Sequence, residues 1–193
     1  MSVESDSVDL VGERVAERVA RAAVFAALAG AFAYVSFPNP VSPAPVTLQV
    51  LGVFLAGIYL GPVWGGVSLA LYVVAGAVGA PVYAGGGAGL GDLLGPYGGY
   101  LWAYPVAAAL VGLLAHGTDG ISAPRDIPVP RLVVAMLAGT VVVYAGGTLG
   151  YAIVQNVGLY RAFLVAAVAF IPAEAFKIAA AVGITRTEDL GAA

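Results

Sequence analysis

Glu174 and Lys177 stand three residues apart in Phe170-Ile171-Pro172-Ala173-Glu174-Ala175-Phe176-Lys177, within an otherwise apolar run. In a helix that spacing stacks a carboxylate and an ammonium on one face, where each partly neutralises the other. Pro172 has no N–H to donate and opens the backbone just before them. At membrane depth each ion costs about 2.5–3.5 kcal/mol on insertion scales, so such residues mark functional sites by default. An internal ion pair that only fixes helix packing is the plain alternative. A carboxylate accepts hydrogen bonds and an ammonium donates them. A neutral group with adjacent N–H and C=O, such as a urea or an amide, satisfies both without adding net charge. A dry pocket favours that match, because unpaired polar groups are costly there.

Few other residues offer chemistry. Gln49, with Thr47 two residues before it, is an amide in an apolar block and reads either as a ligand contact or as interhelical glue. Asp92 is the one charge in a glycine-rich stretch, where it either caps the following segment or touches a ligand. Tyr83, Tyr97, Tyr100 and Trp102 offer aromatic faces to an apolar or sulfur-containing body; a membrane-interface belt explains such rings equally well. Gln155 and Asn156, at the end of an apolar run, read as interfacial. The glycines at 85–91 do not form G-x-G-x-x-G, and no P-loop lysine follows them. There is no G-x-S-x-G and no H-E-x-x-H motif, no cysteine, and His116 is the single histidine. These observations predict no enzyme, no cofactor and no metal site. Any energised transport must then draw on a partner or an ion gradient.

The elements that position these residues follow from composition. Of 193 residues 61% are hydrophobic and 10% charged, and mean hydropathy is +0.95. Soluble domains carry about 25% charged residues. No charge falls between Arg21 and Asp92, nor from Leu132 to Tyr160. The eight basic residues are scattered, which excludes a nucleic-acid patch. The apolar runs are continuous rather than alternating, which excludes an outer-membrane barrel. The reading is an all-α integral membrane protein, with its 27 glycines serving close helix packing.

Residues 1–12 form a polar acidic tail with Glu4, Asp6 and Asp9. A single membrane domain is expected over 13–186, with spans at about 14–36, 46–60, 63–80, 97–114, 132–156 and 162–184, followed by a tail at 187–193. A signal peptide is disfavoured by the acidic start and by Phe37-Pro38-Asn39-Pro40, which is no cleavage site. Four prolines between Phe37 and Pro45 require an ordered extended loop. Gly61-Pro62 forbids one continuous helix from 46 to 80, so two short antiparallel helices with a tight turn are expected. The first covers only about 22 Å at about 1.5 Å per residue, short of a ~30 Å hydrocarbon core. Residues 81–99 read as a folded, greasy lid. Six spans put both termini on one side, together with Arg14, Arg18, Arg21, Arg125, Arg131 and Arg186, whereas the opposite loops hold only Arg161. The positive-inside rule makes the termini cytoplasmic in a cell-membrane protein, so the loops at 37–45 and 81–99 share the outer face. Small residues recur every fourth position in the first span: Ala22, Ala26 and Gly30, beside Ala23, Ala27 and Ala31. They serve packing within the chain or docking on another membrane subunit.

Five ordered blocks resemble the BioY family in sequence and spacing: Pro43-Ala44-Pro45-Val46-Thr47-Leu48-Gln49-Val50-Leu51-Gly52, Leu60-Gly61-Pro62, Gly79-Ala80-Pro81-Val82, Leu94-Gly95-Pro96-Tyr97-Gly98-Gly99-Tyr100, and the block from Phe170 to Lys177. The resemblance covers roughly residues 13–184. It implies a six-transmembrane-helix S-component bundle with ordered outer loops, the biotin-specific subunit of an energy-coupling-factor (ECF) importer. It further implies assembly with a transmembrane coupling subunit and two ATPase subunits, with the small-residue stripe of Ala22, Ala23, Ala26, Ala27 and Gly30 as the docking surface. Glu174, Lys177, Gln49, Tyr100, Tyr83, Gly87 and Asp92 become the expected contacts to biotin. Where relatives carry Pro-Gly-Asp on the last helix, this chain has Pro172-Ala173-Glu174, keeping the carboxylate with one more methylene. Where some carry Asn in the lid it has Gly87, and where some carry a basic residue after Gly-Gly-Tyr it has Leu101. A different vitamin, or a structural membrane subunit without a small ligand, are the competing readings.

Overall fold

The computed structural model describes residues 10–118 and 120–187. Most of the expected acidic tail, the C-terminal tail beyond Thr187, and Asp119 lie outside the described residues. The first helix, α1 (Leu10–Tyr34), carries Glu13, Arg14, Glu17, Arg18 and Arg21 on exposed positions in its first half, with Glu17 and Arg21 paired at 2.6 Å. Its second half is apolar. The proline loop that follows is clasped by two short antiparallel strands, β1 (Ser36–Phe37) and β2 (Val46–Thr47), with Ser36 opposite Thr47. Helix α2 therefore starts at Gln49, three residues later than the hydropathy pattern alone suggests.

Within α2 (Gln49–Ala77) the helix is interrupted at Gly61, whose φ of 76° and ψ of −175° lie where side chains are excluded. Beyond that turn the chain doubles back. A Cβ on Gly65 would lie 3.0 Å from the Ala56 carbonyl oxygen, nine positions earlier, a distance only an antiparallel hairpin allows. The halves, 49–60 and 62–77, are about 18 and 24 Å long at about 1.5 Å per residue.

Next come α3 (Leu90–Leu93), α4 (Gly98–His116) and α5 (Val129–Gln155), the last ended by left-handed Asn156 at φ 50°. The expected final span at 162–184 is not one helix. It divides into α6 (Leu159–Ala166), a 3-10 turn (Val168–Phe170) and α7 (Ile171–Thr187). Pro172 supplies the reason, since it has no N–H for the Val168 carbonyl.

The α2 hairpin is the centre of the bundle. It packs on α1 and α4, α4 packs on α5, and α7 touches both α2 and α5. Phe54, Ile58, Leu69, Tyr72, Leu132 and Met136 fill the core. Val63, Val106, Val141, Ile153 and Phe176 face outward, as lipid solvation of the bundle allows. By length and hydropathy, Gln49–Ala77, Gly98–His116, Val129–Gln155 and Leu159–Thr187 can cross a membrane.

The two ends of the bundle differ. At one, the Arg186 guanidinium donates to the carbonyls of Arg125 and Ile127, the second at 2.5 Å, and Arg131 donates to Leu114 O at 2.8 Å. His116 joins the same end: its Nδ1 accepts from the Ser122 N–H at 3.2 Å, so Nε2 carries the proton donated to Ile58 O at 2.7 Å. At the other end the Tyr34 hydroxyl donates to Pro81 O, joining α1 to the glycine-rich stretch.

Candidate ligand-binding site

The break before α7 shapes the site. Ala167, at φ −129° and ψ −62°, leaves the helix, and the Phe170 N–H turns to Ala167 O at 3.0 Å. The Ala166 carbonyl accepts instead from the Tyr100 hydroxyl at 2.5 Å. Helix α7 restarts with Pro172 in its first turn, where a missing N–H does no harm. Glu174 falls in that same turn, where the helix dipole favours negative charge.

Lys177 Nζ lies 2.5 Å from Glu174 Oε1, and both side chains are 4% exposed. Glu174 Oε2 is buried with no hydrogen-bond partner. The Tyr144 hydroxyl on α5 stands beside this carboxylate and is likewise buried without completing a hydrogen bond. Leaving such groups unpaired costs about 1–3 kcal/mol each.

These groups face a cavity of about 200 Å³. Buried Glu174, Lys177 and Gln49 lie on its wall, as do exposed Gly91 and Asp92. Between them stand Tyr83, Tyr97, Tyr100, Tyr104, Tyr144 and Phe170. Tyr100 meets Tyr144 edge-on at 6.4 Å, and Phe170 closes the group at 6.1 Å from Tyr144. Gln49 is held by Thr47, which donates to Oε1 at 2.8 Å, and its Nε2 donates to Tyr72 at 2.5 Å. The second Nε2 proton is left for another acceptor. Tyr83 donates to Val73 O at 2.5 Å. Burial, and secondarily the Asp92 charge, raise its phenol above the ordinary value, so it remains a donor. The arrangement offers an unpartnered acceptor, spare ammonium and amide protons, and aromatic walls. It suits a neutral polar head on an apolar body.

Six of the seven expected contacts line the cavity: Glu174, Lys177, Gln49, Tyr100, Tyr83 and Asp92. Gly87 does not. It pairs with Tyr83, its carbonyl accepting the Tyr83 N–H at 3.0 Å. A Cβ there would lie 2.3 Å from Asp92 Oδ2, so Gly87 makes room for Asp92. Asp92 sits inside the first turn of α3 and caps no helix. Trp102 points outward, its indole N–H on Leu93 O at 3.1 Å.

The small-residue stripe needs correction as well. Ala22 is fully buried, its carbonyl taken by Ser68 Oγ at 2.7 Å, and Gly30 is buried under Val82. Both serve the chain's own packing, while Ala26 is half-buried and Ala23 and Ala27 remain exposed. The sequence reading missed Tyr104, Tyr144 and Phe170. A tyrosine hydroxyl amid a charge-free apolar run demands a partner, a signal that marks Tyr144 together with Tyr59, Tyr72 and Tyr151.

The chain matches the BioY family model over residues 4–189. It is 36% identical over 167 residues to a probable biotin transporter BioY from Pyrococcus horikoshii, covering 86% of this chain and 93% of that one. It is 38% identical over 138 residues to the biotin transporter BioY of Rhodobacter capsulatus, covering 70% of each. Its fold superposes with a TM-score of 0.79, at 23% identity, on the crystal structure of the S-component for biotin from an ECF-type ABC transporter, covering 94% of this chain and 95% of that one. A second S component of a bacterial ECF transporter superposes at 0.52, with 18% identity and coverage of 89% and 92%.

Proposed function

The chain belongs to the BioY family, and from that premise we propose that it is the substrate-capture subunit of an ECF-type importer, binding biotin with high affinity in the cavity above Glu174 and Lys177. One observation carries the reading: the buried pair lines a cavity, and Glu174 Oε2 is buried there without a hydrogen-bond partner. The ureido ring of biotin supplies what is missing there. Its N–H donates to Glu174 Oε2, and its C=O accepts from Lys177 Nζ. Tyr144 joins this contact, Gln49 offers its second amide proton, and the thioether ring rests on Tyr100 and Phe170. With the guest in place water is excluded, and each of these contacts strengthens in the lower dielectric.

In this reading the chain crosses the cell membrane in six segments, counting the two halves of α2 separately. Its termini and the Arg125–Arg131–Arg186 end face the cytoplasm, and the cavity faces outward. Membership of the family supports a transmembrane coupling subunit and two ATPase subunits as the source of its energy. The exposed stripe of Ala23, Ala27 and Ala31 on α1 is the surface offered to that coupling subunit.

Equilibrium binding of tritiated biotin to the detergent-purified chain tests the capture role, with thiamine, riboflavin and desthiobiotin as competitors. Saturable binding displaced by desthiobiotin, and not by the other two vitamins, is expected. Displacement by thiamine or riboflavin moves the assignment to another vitamin, and absence of any binding removes it.

A further inference from the structure

The charges on the cavity wall do not balance. Among the described residues the wall carries Glu174, Lys177 and Asp92 as its charged groups. Glu174 and Lys177 cancel across 2.5 Å, which leaves the exposed carboxylate of Asp92 uncompensated. No arginine lines the cavity, and Arg161 sits on α6 off the wall. The start of α4 lies close by, with Tyr97 and Tyr100 on the wall, but a helix terminus contributes only about half a positive charge against Asp92's full negative one. The position of Asp92 is itself built in, because any side chain at Gly87 would collide with Oδ2.

A guest that sets its urea against the buried pair and runs outward brings the end of its tail toward Asp92. Free biotin ends in a carboxylate, ionised at neutral pH, and so meets a like charge with no cation at hand. Capping that carboxyl as an amide removes the repulsion and leaves the urea and thioether unchanged. A like charge about 8 Å away, at effective dielectrics between about 20 and 80, shifts an affinity by roughly two- to thirtyfold.

Building on the biotin reading of this same site, we propose that the protein accepts carboxyl-capped biotin, a biotinyl amide, at least as tightly as free biotin, with Asp92 setting that preference.

Titration calorimetry on the full detergent-purified chain tests this with biotin and biotinamide as probes. Biotinamide is expected to bind at least as tightly as biotin. In Asp92→Asn the ratio of biotin to biotinamide affinity is expected to rise about threefold or more. A wild-type protein that binds biotin more than threefold tighter than biotinamide overturns the proposal, as does a ratio that Asp92→Asn leaves unmoved. The wild-type comparison stands even if the variant fails to fold. Binding of neither probe sinks the biotin reading itself, a result distinct from binding of biotin alone.

Discussion

The amide of Gln49 donates to the hydroxyl of Tyr72 at 2.5 Å, although the two residues lie 23 positions apart in a single apolar run. In a straight helix they would be about 34 Å apart. The contact exists because Gly61 folds α2 into a hairpin, and Tyr72 passes the hydrogen bond on to Val82 O at 3.0 Å. One side of the cavity is thus fastened to the start of the glycine-rich stretch.

Gly61→Ala is expected to destabilise the protein by about 1–3 kcal/mol, because its backbone lies in a region essentially closed to other residues. Gly183→Ala, in α7 with open space around its Cα, is expected to stabilise it by about 0.5–1 kcal/mol. Thermal unfolding of both variants in one detergent checks the opposite signs.

Truncating either member of the buried pair leaves the other charged and alone. Glu174→Ala and Lys177→Ala are each expected to weaken biotin binding by at least about 2 kcal/mol. Each is also expected to lower thermal stability more than the double substitution Glu174→Gln/Lys177→Met, which removes both charges together. Unchanged affinity in both single variants would exclude the pair from the binding site.

Tyr144→Phe removes a buried hydroxyl beside Glu174 that completes no hydrogen bond. Stability without ligand is expected to stay level or rise by about 1 kcal/mol, while biotin affinity falls by about 0.5–1.5 kcal/mol. Differential scanning with and without biotin separates the two effects. A parallel fall in both would make Tyr144 a packing residue only.

On α1, Ala22→Leu is expected to lower stability of the isolated chain, by about 1–3 kcal/mol from overpacking at a fully buried position. Ala27→Leu lies on an exposed position and is expected to leave folding and biotin binding intact while blocking assembly with the coupling subunit. Co-purification of the complex reads out the difference, and normal assembly of Ala27→Leu would move the docking surface elsewhere.

Much of this was legible in the residue pattern, and the reasons are local. A proline beside an acid–amine couple in an apolar run announces both a helix opening and a costly burial, and Glu174 with Lys177 realise both. Gly61-Pro62 announces a turn in the same way. The extended segment at Val46–Thr47 was less visible, since it depends on pairing with Ser36–Phe37, and Pro172 did not show that Tyr100 would capture the Ala166 carbonyl freed by the opening. Spacing also cannot tell which of two adjacent small-residue stripes turns inward. Ala22 and Gly30 do so because Ser68 and Val82 meet them, contacts 46 and 52 positions away in the chain. Gly87 stands off the cavity wall, and a backbone that makes room for Asp92 looks, in one dimension, like a backbone that makes room for a guest.

Helix α7 holds Glu174 in its first turn and Arg186 in its last, the latter clamped to the carbonyls of Arg125 and Ile127. One helix therefore joins the cavity wall to the clamp at the other end of the bundle. A tilt that an arriving molecule imposes on the first turn reaches that clamp, some 18 Å away at about 1.5 Å per residue.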